Sequence, residues 1–290
     1  MTRPADAPGT LFVVSTPIGN MGDFSFRAVE VLRSVALVLA EDTRHSRPLL
    51  DRYEIPTPLA SYHEHNEAKM TPKLVERLLA GDDLALITDA GTPLLSDPGH
   101  RLVRSAIEAG IRIAPVPGAS AVLAALVASG LDAERFTFVG FLPRKGRERS
   151  AALGAIVSSP LTAVLYEGPG RVATTLHQLA ELAPGRHACV ARELTKQFEE
   201  IRRGTVESLE AYYTETPPRG EVVIVVAGAS APVVDESALQ REAHGLRARG
   251  MSVRDVAVEL AKRGASRNVA YRIAREADAE DRKSEMDVDD

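Results

Sequence analysis

Leu84-Ala85-Leu86-Ile87-Thr88-Asp89-Ala90-Gly91-Thr92-Pro93-Leu94-Leu95-Ser96-Asp97-Pro98-Gly99 is the stretch that decides the fold. Residues 84–88 are an apolar run without alternation, which marks a strand buried on both faces rather than one with a wet side. The eleven residues that follow hold two aspartates, two glycines and two prolines, a rigid polar turn at the strand's end. Outward in both directions the pattern repeats. A helix predicted over 101–109 stops at Gly110, and 112–116 is again a strand. Upstream, Leu74, Val75, Leu78 and Leu79 mark a helix that stops at Gly81, and 36–40 reads as a strand. Before it, Phe26, Val29, Leu32 and Val35 recur at helical spacing, and the strand at 10–15 ends in Thr16-Pro17-Ile18-Gly19-Asn20. Strands alternating with helices imply a mostly parallel sheet covered on both faces, an α/β fold.

Downstream, Pro117-Gly118-Ala119-Ser120 opens an alanine- and leucine-rich helix and marks a domain junction. A second α/β segment follows, with strands expected near 136–140, 162–167, 187–192 and 221–227. The expected organisation is a disordered start (1–9), an N-terminal α/β domain (10–117), a C-terminal α/β domain (118–230), a linker (231–238) and a small helical module (239–277). An acidic disordered tail (278–290) completes it. In the module, Ser252 and Asp255 form a capping-box-like start. Two helices around the Gly264-Ala265-Ser266 turn suggest a helix-turn-helix-like unit.

No run approaches the length of a membrane span, and the first residues lack the apolar segment of a signal peptide. The single cysteine, Cys189, excludes an internal disulfide framework. These features lead us to expect a cytoplasmic protein. The formal net charge of −5 is unevenly spread. Residues 241–275 carry nine Lys/Arg against three acids, and residues 276–290 carry eight acids against two bases. The overall acidity is therefore no argument against a nucleic-acid partner.

Several motifs sit at strand ends, where ligands bind in α/β sheets. Residues 15–20 form either a backbone-exposing ligand loop or simply a tight turn. In the loop at 89–99, Asp89 and Asp97 suit a cationic or hydroxyl-bearing ligand, and Asp97 equally suits a helix cap. Ser120 is either a plain N-cap or the start of a helix whose N–H groups meet a ligand. Arg144, Lys145, Arg147 and Arg149 crowd the segment after a strand, as a solvated face or as a phosphate clamp. His63 and His65 have no evident third ligand, so no metal is expected. Charged clusters at 41–44 and 192–196 read equally as functional groups or as structural ion pairs.

Together these pieces resemble the tetrapyrrole methylase superfamily and, within it, the group that methylates small-subunit ribosomal RNA. The resemblance is carried by Ser-Thr-Pro-Ile-Gly-Asn at 15–20, Glu-Asp-Thr-Arg at 41–44, His-Glu-His-Asn at 63–66, Asp-Ala-Gly-Thr-Pro at 89–93 and Ser-Asp-Pro-Gly at 96–99. It continues through Pro-Gly-Ala-Ser at 117–120, Gly-Phe-Leu-Pro at 140–143, Tyr-Glu-Gly-Pro-Gly-Arg at 166–171, Arg-Glu-Leu-Thr-Lys at 192–196 and Gly-Glu at 220–221. It implies two α/β domains with S-adenosylmethionine in the cleft between them, and a homodimer. It implies cofactor contacts from Pro17, Asp89, Ala90, Gly91, Leu94, Asp97, Ser120, Phe141, Leu142, Tyr166, Glu167 and Ala227, many through backbone. The implied target is the 2′-oxygen of a cytidine in the decoding region of 16S rRNA.

Methyl transfer to a ribose hydroxyl is an in-line displacement that needs alignment and a proton acceptor. The candidates for that acceptor are Lys145, Glu193, Glu41 and Asp42. Arg27, Arg44, Arg144, Lys145, Arg147 and Arg149 are the expected RNA contacts near the site, with Lys262, Arg263 and Arg267 in the C-terminal module. That module otherwise serves only packing. The rival readings are a methylase acting on a tetrapyrrole precursor or a protein, and a non-catalytic RNA-binding assembly factor.

Overall fold

The computed structural model describes residues 7–229 and 236–286. The chain divides into two compact units, the first ending at Ala229 and the second beginning at Ser230. In the first unit, strands β1 (Thr10–Val14), β2 (Leu37–Ala40), β3 (Leu59–Ser61), β4 (Leu84–Leu86) and β5 (Arg112–Val116) form a sheet in the order β3-β2-β4-β1-β5. All of its pairings are parallel, with Leu11 opposite both Leu84 and Ile113. Helices α1 (Phe26–Ser34), α2 (Thr43–Arg52), α3 (Glu67–Leu79) and α4 (His100–Glu108) connect the strands. Successive strand residues point to opposite faces, and both faces are buried. Val14, Val38, Ala85 and Ile87 pack with Leu32 and Leu50 on one side. Leu11, Leu39, Leu84 and Leu86 pack with Leu74, Leu78 and Leu102 on the other.

After β5 the chain enters α5 (Ala121–Ser129) and a second sheet. Its strands are β6 (Phe136–Phe141), β7 (Thr162–Glu167), β8 (His187–Arg192), β9 (Glu200–Thr205) and β10 (Val222–Val226), ordered β6-β7-β10-β8-β9. Helices α6 (Arg147–Ser158), α7 (Val172–Leu182) and α8 (Val206–Glu215) lie in this half. Only β6 and β7 are parallel; β10 runs antiparallel to both its neighbours, and β8 pairs antiparallel with β9. Val122, Ala125 and Leu126 of α5 pack against Val164, Cys189 and Val223 on one face. Leu153, Leu176 and Leu209 of α6, α7 and α8 pack against Leu165, Val190 and Ile224 on the other. The direction of β10 has a consequence for the site. Its first residue, Val222, lies beside the carboxyl-terminal residues of β7 and β8, Glu167 and Arg192.

Among its described residues the second unit has three helices, α9 (Glu236–Arg247), α10 (Val253–Lys262) and α11 (Arg267–Met286). Leu239, Val256, Leu260, Ile273 and Ala274 form its own core. Ser252 caps α10, accepting from Asp255 N at 3.2 Å and donating to Asp255 Oδ2 at 2.6 Å. Three expectations are corrected. The linker at 231–238 is shorter, since α9 begins at Glu236; residues 230–235 lie outside the described residues. The acidic stretch from 278 is helical as far as Met286, because residues 278–286 include good helix formers (Ala279, two glutamates, Arg282 and Lys283) and no Gly or Pro. Its last residues, 287–290, lie outside the described residues. At the start, Gly9 is anchored, donating its N–H to Leu78 O at 2.6 Å; residues 1–6 also lie outside the described residues.

Candidate active site

The carboxyl ends of β1 and β4 are stitched together beyond the sheet. Thr16 N donates to Gly91 O at 2.8 Å and Gly91 N to Thr16 O at 3.1 Å. Ser15 Oγ donates to Thr92 Oγ1 at 3.2 Å, and Thr92 Oγ1 donates to Ala119 O at 3.1 Å. Three polar loops thus converge on one place. Gly91 has φ +86°, and a Cβ there would meet Ile18 Cγ2 at 3.1 Å, so the close approach requires glycine. In the same loop Leu94 and Ser96 adopt left-handed backbone with φ of 75° and 73°. Such strain in a non-glycine residue persists only where surrounding structure holds it, and it clusters at ligand sites.

These loops wall a cavity of about 410 Å³, a size suited to a small organic ligand. Asp89, Ala90, Gly91, Asp97, Phe141, Tyr166 and Glu167 line it, so the structure gathers seven of the twelve residues expected around the cofactor. Pro17 lines an adjoining cavity of about 240 Å³, which shares Ile18, Asp89, Ala90 and Glu221 with the larger one. Ser120 caps α5 by accepting from Leu123 N, and the next residue, Ala121, lines the larger cavity. The side chains of Leu94 and Leu142 pack into cores, leaving only their backbones for a ligand. Ala227 is not brought to the site. It follows the far end of β10, where its N–H donates to His187 O at 2.9 Å. The antiparallel course of β10 explains this, since it offers its amino end to the cavity.

The site is acidic. Burial pushes the Asp97 carboxyl up to about 6, with Glu41 and Asp89 adding to the rise. Burial and then Asp89 also raise the pKa of Glu41. Burial pushes the Tyr166 phenol up to about 12, and its ring packs 5.1 Å from Phe138 and 5.4 Å from Phe141. Asp42 behaves oppositely. Its hydrogen bonds from Arg44 hold its carboxyl at about 2, it caps α2, and its own N–H donates to Asp89 Oδ1 at 3.1 Å. The Lys196 ammonium lies 2.9 Å from Glu193 and 3.0 Å from Glu221, which lowers the Glu193 pKa. Asp42 and Glu193 are therefore fixed anions. Glu41 holds its proton more readily than an ordinary carboxylate.

The basic segment after β6 divides by helix phase. Arg144 and Lys145 border a shallow hollow, and Arg147 at the start of α6 is exposed. Arg149, two residues on, is turned inward and only 5% exposed. It donates to Gln178 Oε1 at 2.8 Å, Pro143 O at 3.1 Å and Thr175 Oγ1 at 2.7 Å, and faces Glu167 Oε2 at 3.7 Å. Arg149 is therefore a structural arginine and not an RNA contact. Glu167 also pairs with Arg171 and accepts from Thr175 Oγ1 at 2.7 Å, which ties down the loop at 168–171. Lys145 does not line either cavity. Arg27 donates to Pro115 O at 3.4 Å, and Arg44 is exposed beside Asp42. In the second unit Lys262 pairs with Glu259 and Arg263 with Glu242 at the surface, and Arg267 is exposed.

Comparison with known proteins decides the family. The profile of the tetrapyrrole (corrin/porphyrin) methylases matches residues 10–210. Ribosomal RNA small subunit methyltransferase I of Synechocystis is 45% identical over 258 residues, which cover 88% of this chain and 92% of the relative. The protein of the same name from Pseudomonas aeruginosa is 50% identical over 232 residues, 79% of this chain and 82% of its own. The chain belongs to the tetrapyrrole methylases, in the ribosomal RNA small subunit methyltransferase I group. Among solved structures, uroporphyrin-III C-methyltransferase from Thermus thermophilus complexed with S-adenyl homocysteine superposes with a TM-score of 0.53 at 19% identity. The match covers 76% of this chain and 97% of that one, and shows that the two share a fold.

In this tetrapyrrole methylase the lining residues that sequence reading did not single out come in part from the amino end of β10. Gly220, Glu221, Val222 and Val223 line the larger cavity, as do Ile18, Thr92, Leu95, Ser96, Gly168 and Pro169. Gly220 has φ +79°, and a Cβ there would run into the Glu193 carboxylate. The Gly-Glu pair at 220–221 was a visible signal. Its place at the start of a strand, rather than the end, hid its role.

Proposed function

We propose that this chain transfers the methyl group of S-adenosylmethionine to the 2′-hydroxyl of a cytidine in the decoding region of 16S rRNA, without a metal. The observation that carries the reading is the chemistry of the 410 Å³ cavity. Asp89, Asp97 and Glu221 offer negative charge to a ligand that carries an ammonium and a sulfonium, and Phe141, Tyr166 and Val223 offer apolar surface to a flat heterocycle. Gly91 and Gly220 let the walls pack closely against Ile18 and the Glu193 carboxylate. Relatives 44–50% identical and named as small-subunit ribosomal RNA methyltransferases support the choice of RNA over a tetrapyrrole.

S-adenosylmethionine, when bound, supplies an electrophilic methyl group for in-line displacement. The protein's part is to align the acceptor oxygen, exclude water and take up its proton. We assign proton handling to Glu41, whose proton affinity is raised, and to Lys145 on the RNA path. Asp42 and Glu193, held as ion-paired carboxylates, position the loops around them. Arg27, Arg44, Arg144 and Arg147 near the site, and Lys262, Arg263 and Arg267 in the second unit, supply phosphate contacts. The enzyme acts in the cytoplasm as a homodimer in this reading.

Calorimetric titration with S-adenosylmethionine and its demethylated product, followed by mapping of 2′-O-methyl groups on treated small subunits, tests it. Micromolar binding and one new methyl mark on a cytidine ribose are expected. A folded protein that binds neither ligand would leave an RNA-binding assembly factor as the better reading.

A further inference from the structure

The smaller cavity carries a polar atom that the fold leaves unsatisfied. Ser46, in the first half of α2, is 3% exposed, and its Oγ makes no hydrogen bond. A serine in a helix commonly turns its hydroxyl back to the carbonyl four residues earlier. Here Asp42 O already accepts from Ser46 N at 3.0 Å and from His45 N at 3.1 Å. Buried hydroxyls without partners are few in native folds because the lost hydration is not recovered. Ser46 lines the 240 Å³ cavity together with Pro17, Ile18, Met21, His45 and Leu49. It is thus an unpartnered hydroxyl in the wall of a small, partly apolar slot.

Two further observations define what that partner is. The slot shares Ile18, Asp89, Ala90 and Glu221 with the larger cavity, so a group held in one lies against a group held in the other. Its charge disfavours a phosphate. Asp89 and Glu221 present carboxylates, and its one ammonium, Lys196, is already shared by Glu193 and Glu221. A flat, neutral ring with hydrogen-bonding edges suits apolar walls and a lone hydroxyl. Enzymes that act on a base within a duplex turn it out into such a pocket, and a pocket beside the methyl donor suits the base whose ribose is presented to it.

Resting on the methyl-transfer reading above, we propose that the 240 Å³ cavity is the acceptor-nucleotide subsite, in which Ser46 hydrogen-bonds the edge of an everted pyrimidine base. Ser46 is then a base-positioning residue, its hydroxyl free to donate or accept. The bond from Asp42 N to Asp89 Oδ1 fixes the start of α2 at the wall that both cavities share.

The test uses the full chain and small ribosomal subunits that lack the modification, with cytidine or uridine at the acceptor position. Ser46→Ala is expected to lower kcat/KM on the cytidine subunits by about tenfold. It is expected to leave the preference between the two bases as in wild type, since a hydroxyl pairs with either edge, and to leave the Kd for S-adenosylmethionine within twofold of wild type. Met21→Trp, at a position 36% exposed on the wall of the slot, is expected to fill it and block RNA methylation with cofactor binding intact. This second variant keeps the proposal testable if Ser46→Ala folds poorly. Wild-type kcat/KM in both variants would overturn the subsite while leaving the methyltransferase reading in place. A wild-type enzyme that binds cofactor but leaves the subunits unmethylated would overturn both.

Discussion

Thr16 and Gly91 exchange two backbone hydrogen bonds, of 2.8 and 3.1 Å, just past the ends of neighbouring strands β1 and β4. This antiparallel bridge at the rim of a parallel sheet holds together the two loops that wall the larger cavity. It also depends on Gly91, whose φ of +86° disfavours any side chain. Gly91→Ala is expected to lower stability by about 1–2 kcal/mol. It should weaken S-adenosylmethionine binding further than that loss alone explains, because the new methyl group pushes on Ile18. Thermal denaturation and calorimetric titration of the variant check both effects.

Asp97 makes cofactor affinity depend on pH. Its carboxyl is pushed up to about 6, chiefly by burial, so the folded protein holds a proton there that the unfolded chain releases nearer 4. Between those values the native state binds more protons, and this group's contribution to stability falls as pH rises through the window. Ionised Asp97 above that window is the form that attracts a cationic ligand. Affinity for S-adenosylmethionine is therefore expected to rise from pH 5 to pH 7.5 in the wild type. Asp97→Asn should flatten that rise and raise the melting temperature at pH 8 relative to wild type, with little change at pH 4. Titrations at the two pH values would refute the assignment if the variant kept the wild-type profile.

Most of the first sheet was legible because β1, β2 and β4 are apolar runs closed by polar or turn residues, as 84–99 illustrates; the three-residue β3 and the charged α2 before it gave no such signal and were not read. The second sheet was legible in its strands but not in their directions. A run such as Val222–Val226 is buried on both faces whether it runs parallel or antiparallel, and only pairing reveals which. The resemblance implied Ala227, whereas the antiparallel course of β10 turns Gly220–Val223 to the cavity instead. β9 was missed because Glu200, Arg202 and Arg203 make it look like a charged loop; Arg202 in fact stacks over the Tyr212 ring at 3.4 Å. Arg149 was misread for a related reason. In a row of basic residues, composition is visible but helix phase is not, and phase turned Arg149 towards Glu167 while leaving Arg147 in water.

That division of labour within one basic segment can be measured. Arg149→Ala leaves the Glu167 carboxylate, fully buried, with Arg171 as its remaining cationic partner. Removing one partner of a buried pair typically costs about 3 kcal/mol, so a clear drop in melting temperature is expected. Lys145→Ala should leave the melting temperature unchanged and lower kcat/KM on small ribosomal subunits. Equal melting temperatures for the two variants would refute the structural role of Arg149, and normal turnover by Lys145→Ala would remove it from the RNA path.

The second unit carries a net positive charge over residues 241–275, with nine Lys/Arg against three acids, and has its own apolar core. The first unit holds all residues that line the two cavities. A chain ending at Ala229 is therefore expected to bind S-adenosylmethionine within about twofold of the full chain's affinity, since its cores and its cavity walls are complete. Its RNA affinity should fall by tenfold or so, and the dependence of log K on log salt should become shallower, because each lost phosphate contact removes about one released counterion. Measuring both binding reactions across a salt series separates the alternatives. A shallower salt slope with intact cofactor binding assigns the module to RNA. Parallel loss of both would make it a packing element that the first unit needs.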